Sequence, residues 1–103
     1  MTFGRIIAEA RKKASLTQRE LAVLLKKEDG QPITPQYLND IEHGKRNPPS
    51  DHLMKQLAKY LGLELDYLYA CSGELPQDLR GPRVDKTKLV AGFAAIRKSL
   101  KES

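Results

Sequence analysis

The chain carries a single cysteine, Cys71, so it cannot close an internal disulfide. Its fold must be held by packing and hydrogen bonds, which suits a reducing compartment. No apolar run approaches the ~20 residues that a membrane span requires. The opening, MTFGRIIAEARKK, interleaves apolar and charged residues and lacks the form of a secretory leader, so a cytoplasmic protein is expected. Metal chemistry finds no footing: His43, His52 and Cys71 make neither a C-x-x-C nor an H-x-x-x-H pattern. No Gly-rich phosphate loop and no nucleophile motif occurs. Ser15, Ser50 and Ser72 fall in connections, where capping is the simpler role. The expectation is a non-enzyme with no cofactor and no metal, with Cys71 as a small, partly buried apolar residue rather than a redox sensor.

What is present is an ordinary soluble composition in 103 residues, enough for one small domain. Charge is unevenly spread. Residues 1–27 carry seven Lys/Arg against two Asp/Glu, residues 28–73 four against seven, and residues 74–103 seven against four. A basic N-terminal third points to a polyanion partner, and a solvated helix face would carry the same charge.

Helical spacing organises the first part. Phe3, Ile6, Ile7 and Ala10 predict a helix from about Thr2 to Ala14, with Thr2 as its cap. Arg11 falls one turn beyond Ile7, beside the apolar stripe, an odd place for a lone charge. Thr17-Gln18-Arg19-Glu20 is a capping box that opens a second helix, with Leu21, Ala22, Leu24 and Leu25 facing inward. Glu28-Asp29-Gly30-Gln31-Pro32 reads as a turn. Past the third helix, Ser50 caps a fourth that stops at Gly62, and Leu53, Met54, Leu57, Ala58 and Leu61 close the core. Leu63, Leu65, Leu68 and Tyr67 belong to a short fifth helix ending by Gly73. No strand and no repeat is expected.

The third helix lies within Ile33 to Pro49. Thr34 caps it, Pro35 takes the first helical position and Gly44 ends it; Pro48 and Pro49 forbid a restart. Leu38 and Ile41 face one way. Gln36, Tyr37, Asn39 and Asp40 spread over the other faces, and Lys45-Arg46 follows the end. Amides that can pair with base edges, and cations that can sit on phosphate, are the make-up of a DNA recognition helix.

Residues 74–84, with Pro76, Gly81 and Pro82, read as a linker with at most one helical turn around Gln77–Leu79. Asp85 then caps a last amphipathic helix within 85–103. Leu89, Phe93, Ile96 and Leu100 form its stripe, with Val90 beside it. This helix either folds back on its own core or pairs with a second chain as a dimerisation element.

In their order and spacing these pieces resemble the phage-repressor/Cro-like helix-turn-helix family, also called the XRE family. The likeness rests on Phe3-Gly4, Ile7, Arg11, LTQRELA at 16–22, Tyr37 to Glu42, Gly44 to Pro48, Leu57-Ala58, Leu61-Gly62 and Leu68. It covers about the first seventy residues. The fold expected is all-α: a five-helix repressor-like domain over 1–73 with an extra C-terminal helix. The resemblance implies a sequence-specific regulator of transcription, a homodimeric repressor on a palindromic double-stranded operator, working at the nucleoid. It implies that Gln18 meets backbone phosphate and that the first turns from Thr34 onward, with Pro35, Gln36, Tyr37, Asn39 and Asp40, enter the major groove. Lys45, Arg46 and Asn47 would lie along the flanking backbone. It also implies a structural ion pair between Arg11 and Glu42.

Two features depart from that family. The connection over 26–33 is longer by about six residues than the usual tight turn. It would either lie over the DNA backbone, adding Lys26 and Lys27 as phosphate contacts, or project into solvent. Pro35 stands where many relatives carry a base-reading side chain, which leaves Gln36 as the best direct reader. Asp40 could accept from cytosine or orient Arg46; Tyr37 could meet a thymine methyl or deoxyribose, or close the core edge. The rival expectation is an antitoxin or protein-interaction module whose last helix binds a partner protein.

Overall fold

Hydroxyl side chains fix where the first four helices begin. In the computed structural model, which describes residues 2–102, Thr2, Thr17, Thr34 and Ser50 each accept a hydrogen bond from a first-turn backbone N–H. They open α1 (Phe3–Lys13), α2 (Gln18–Leu24), α3 (Pro35–Glu42) and α4 (Asp51–Leu61). Thr17 and Glu20 satisfy each other's backbone N–H groups in a complete capping box. Helix α5 (Leu65–Ser72) follows, and Gly62 and Gly73 close α4 and α5 in the left-handed conformation. One 3-10 turn (Gln77–Leu79) and α6 (Lys86–Glu102) complete the described chain. The fold is all-α; an isolated bridge between Lys26 and Pro32 is its single β-type pairing among the described residues.

One buried cluster joins α1 through α5. Ile7, Leu21, Leu25, Leu38, Met54, Leu57 and Leu68 are fully enclosed at its centre. Each such side chain contributes about 1.5–3 kcal/mol on burial. Helix α1 lies across α3, α4 and α5, while α2 packs on α3. The approach of α1 to α3 depends on Gly4, where an added Cβ would meet the Glu42 carbonyl oxygen at 2.3 Å and that of Ile41 at 2.6 Å. Both obstacles are backbone, so a side chain at this position would push the helices apart.

The fifth helix differs in detail from the sequence expectation. Leu63 precedes it, and Tyr67 lies within it but half exposed. Tyr69 is the buried aromatic, and its hydroxyl donates to Asp51 at the start of α4. The 74–84 segment holds one helical turn at Gln77–Leu79, as expected, and is tied to the domain by a side chain. Arg80 returns to the same Asp51 carboxylate, stacks 5.9 Å from the centre of the Tyr69 ring, and donates to the Leu75 carbonyl. Beyond this anchor, Asp85 caps α6 through the N–H groups of Thr87 and Lys88. Helix α6 buries none of its described residues. Among the described residues, no helix is long and apolar enough to cross a membrane.

Candidate nucleic-acid interface

The long connection between α2 and α3 is an ordered excursion. The Ile33 N–H donates to the Leu25 carbonyl at 2.9 Å, so the two ends of the connection are tied directly to each other. The residues between them fold as a small hairpin: Lys27 N–H to Gln31 O at 2.8 Å, Gly30 N–H to Lys27 O at 2.9 Å, and Gln31 N–H to the Asp29 carboxylate at 2.9 Å. Gln56 of α4 holds its base. The Gln56 Oε1 accepts from Lys26 N–H at 2.8 Å, and its Nε2 donates to Lys26 O at 2.7 Å. Of the two lysines there, Lys26 turns its ammonium back onto the Val23 carbonyl at the end of α2, while Lys27 is exposed.

Helix α3 presents Leu38 and Ile41 to the core and a connected polar set to solvent. Gln36 Nε2 donates to Asp40 Oδ1 at 2.9 Å, one turn on. Arg46 Nε reaches the other oxygen, Asp40 Oδ2, at 3.4 Å. The Arg46 guanidinium lies 4.4 Å from the centre of the Tyr37 ring, within cation–π range. Of the two roles open to Asp40, the structure displays the one that orients Arg46. Tyr37 is half-buried against the core, so its ring closes the core edge and carries Arg46 above it. Arg46 therefore shares a face with Gln36 rather than lying apart from α3. Lys45 and Asn47 are exposed beside it, and the Lys45 N–H bonds the Asp40 carbonyl at 2.9 Å. Thr34 uses its hydroxyl to cap α3, 3.0 Å from Tyr37 N, next to exposed Pro35.

Gln18 stands at the junction of the two helices and faces inward. Its Nε2 donates to Asn39 Oδ1 at 3.1 Å and to Glu42 Oε1 at 2.9 Å. A glutamine amide has two hydrogens, and both are engaged here. To donate to a phosphate, this side chain must first release one of them, Asn39 or Glu42.

Beneath this polar face lies the Arg11–Glu42 pair. Arg11 Nε and Nη2 bond the two Glu42 carboxylate oxygens at 2.7 and 3.0 Å, a bidentate geometry, and Nη1 donates to the Leu16 carbonyl at 2.9 Å. The Arg11 and Glu42 side chains are 10% and 3% exposed. This answers the oddity of a cation beside the apolar stripe of α1: its charge is met across the helix crossing. The pair ties α1, α3 and, through Gln18, α2.

The four stripe residues of the last helix lie outside this network of contacts. Leu89 is half-buried, whereas Phe93, Ile96 and Leu100 are exposed. Sequence reasoning passed over Gln56, Asp51, Tyr69 and Arg80, whose partners are distant along the chain. Burial and the hydrogen bond to Asp51 push the Tyr69 phenol up to about 12. That same bond, with Arg80 adding to it, holds Asp51 below its ordinary value. Among the described residues, no group of three His, Cys, Asp or Glu is arranged to hold a metal ion.

A family model described as helix-turn-helix matches residues 7–68, more than half of the chain. That span runs from Ile7 in α1 to Leu68 in α5 and contains both members of the Gln18–Asn39 contact. Neither the curated proteins nor the solved structures compared with the chain give a match.

Proposed function

The chain belongs to the XRE-type helix-turn-helix family of DNA-binding regulators, and from that premise we propose that it is a homodimeric repressor reading a palindromic operator with α3. The observation that carries this reading is the polar set on the exposed side of α3, where Gln36, Asp40, Arg46 and Tyr37 are joined in one network. Gln36 gives one amide hydrogen to Asp40. Its second hydrogen and its carbonyl oxygen suffice for a bidentate contact to adenine N7 and N6, worth about 1–3 kcal/mol of discrimination. Arg46, held by Asp40 and Tyr37, is placed for a phosphate or a guanine edge, while Lys45 and Asn47 serve the flanking backbone. Thr34, Pro35 and Asn39 line the same approach. Gln18 joins the phosphate contacts once it swings away from Asn39. Two copies set their α3 helices in successive major grooves, about 34 Å apart. Occupying a promoter in this way blocks transcription.

The test is selection of binding sites by the full chain from a random duplex pool near physiological salt. An enriched palindrome with half-sites one helical turn apart is expected. Gln36→Ala should relax one base position in each half-site and leave the others unchanged. Binding without any enriched sequence, fading steeply with salt, would reduce the basic surface to a general polyanion contact.

A further inference from the structure

Two apolar features lie open to solvent among the described residues, and they suit each other. One is the α6 stripe, on which Phe93 and Ile96 are 36% and 61% exposed, with Val90 beside it at 60%. The other is an open groove of about 520 Å³ where the second half of α1 meets the α4–α5 junction. Ile6, Ala10, Leu61, Leu63 and Tyr67 line it, and no residue of α3 does, so it lies apart from the DNA-reading helix. We propose that α6 of one copy lies in this groove of a second copy, and the second copy's α6 in the groove of the first. This rests on the homodimer reading above and names the surfaces that make the dimer.

Charge favours this arrangement over the simpler pairing of α6 with α6. Helix α6 carries Lys86, Lys88, Arg97, Lys98 and Lys101 against Glu102. Side-by-side pairing would set these cations against their own copies, and like charges across a helix seam oppose association. At the groove, Glu9 is part of the lining and Lys13 is its cation. Glu64 and Asp66, both exposed, flank the groove residues Leu63 and Tyr67 in the chain. Glu9 is held only loosely, by Arg5 at 3.9 Å. A basic helix with an apolar stripe therefore meets an apolar groove with acidic neighbours, the helix-in-groove mode of recognition.

No α6 residue lines the groove of its own domain. Arg80 is fixed at Asp51, the first residue of α4, whereas the groove opens at Leu61, its last. At ~1.5 Å per residue these ends are about 15 Å apart. With that anchor closed, α6 leaves its own domain with Phe93 and Ile96 exposed and no α6 side chain in its own groove. Reciprocal insertion uses both features twice about one two-fold axis.

The experiment is light scattering behind size exclusion, over a concentration series, on the full chain and on Tyr67→Lys and Ile96→Lys. Both substituted side chains are half exposed or more, and far-UV circular dichroism confirms their folding; Glu9→Lys, on the exposed rim, is measured in parallel. Wild type should dimerise, and Tyr67→Lys and Ile96→Lys should each weaken the dimer by about tenfold or more. An equimolar mixture of those two should associate more tightly than either alone, because one intact groove then meets one intact stripe. A wild type that stays monomeric throughout would overturn the dimer reading itself. A wild-type dimer left unchanged by both Tyr67→Lys and Glu9→Lys would leave that reading standing and overturn the groove as its surface. A mixture no tighter than its components would overturn the reciprocal exchange.

Discussion

At the residue scale, the buried ion pair links stability to the polar face of α3. Arg11 is the sole charge from α1 that reaches Glu42 in the described contacts, and the Glu42 carboxylate also accepts from Gln18. Arg11→Ala leaves a carboxylate enclosed at 3% exposure, with one amide donor remaining. The expected loss is about 3–5 kcal/mol. Small domains have only about 5–15 kcal/mol in total, so urea denaturation should find this variant unfolded or close to it. Replacing both partners, as Arg11→Met with Glu42→Leu, removes the stranded charge and should cost less than Arg11→Ala alone. If the double variant proves the less stable of the two, the burden lies in lost hydrogen bonds to Leu16 and Gln18 rather than in an uncompensated charge.

At the scale of elements, the helix starts and stops were legible because they are local. Thr2, Thr17, Thr34 and Ser50 act on backbone groups three residues ahead, and Gly62 and Gly73 supply the turns that end α4 and α5. The polar face of α3 was legible for the same reason, since its helical spacing already separated Leu38 and Ile41 from Gln36 and Asp40. What escaped sequence reasoning depends on how distant elements meet. The inward engagement of Gln18 with Asn39 spans 21 residues, the Gln56 clamp on Lys26 spans 30, and Tyr69 finds Asp51 across 18. No periodicity encodes such pairs. The hairpin insertion shows the consequence: its length alone left the α2–α3 geometry open, yet Leu25 and Ile33 close its base and Gln56 fixes it. Gln56→Ala strips partners from both backbone groups of Lys26. At about 0.5–1.5 kcal/mol for each hydrogen bond, the loss should be about 1–3 kcal/mol by chemical denaturation. A variant as stable as wild type would mean that water serves Lys26 equally well, and the hairpin would then be held by its own bonds.

At the scale of the whole molecule, the Asp51–Tyr69–Arg80 cluster decides how the linker and α6 leave the domain. Its response to pH follows from two opposite displacements. Asp51 is held below its ordinary value of 3.8, first by the Tyr69 hydroxyl and then by Arg80. A depressed carboxylate contributes stability above its unfolded value and loses it as pH falls through the folded one. Tyr69 is raised from 10.0 to about 12, so its contribution holds below 10 and is lost as pH climbs toward 12. The anchor is therefore closed at neutral pH and opens only when acid carries the pH down through the lowered Asp51 value, or in strong base. Asp51→Asn keeps an acceptor for Tyr69 but removes the charge that Arg80 meets, so it should open the linker side alone without acid. The measurement is the ¹⁵N heteronuclear NOE of the linker amides: at pH 7 those around Gly81 should fall in Asp51→Asn while those of α4 and α5 stay high. Wild type should reach the same values only on acidification. If the linker amides of Asp51→Asn match wild type at pH 7, the Leu75 carbonyl and the Tyr69 ring are enough to hold Arg80, and the ion pair does not set the course of α6.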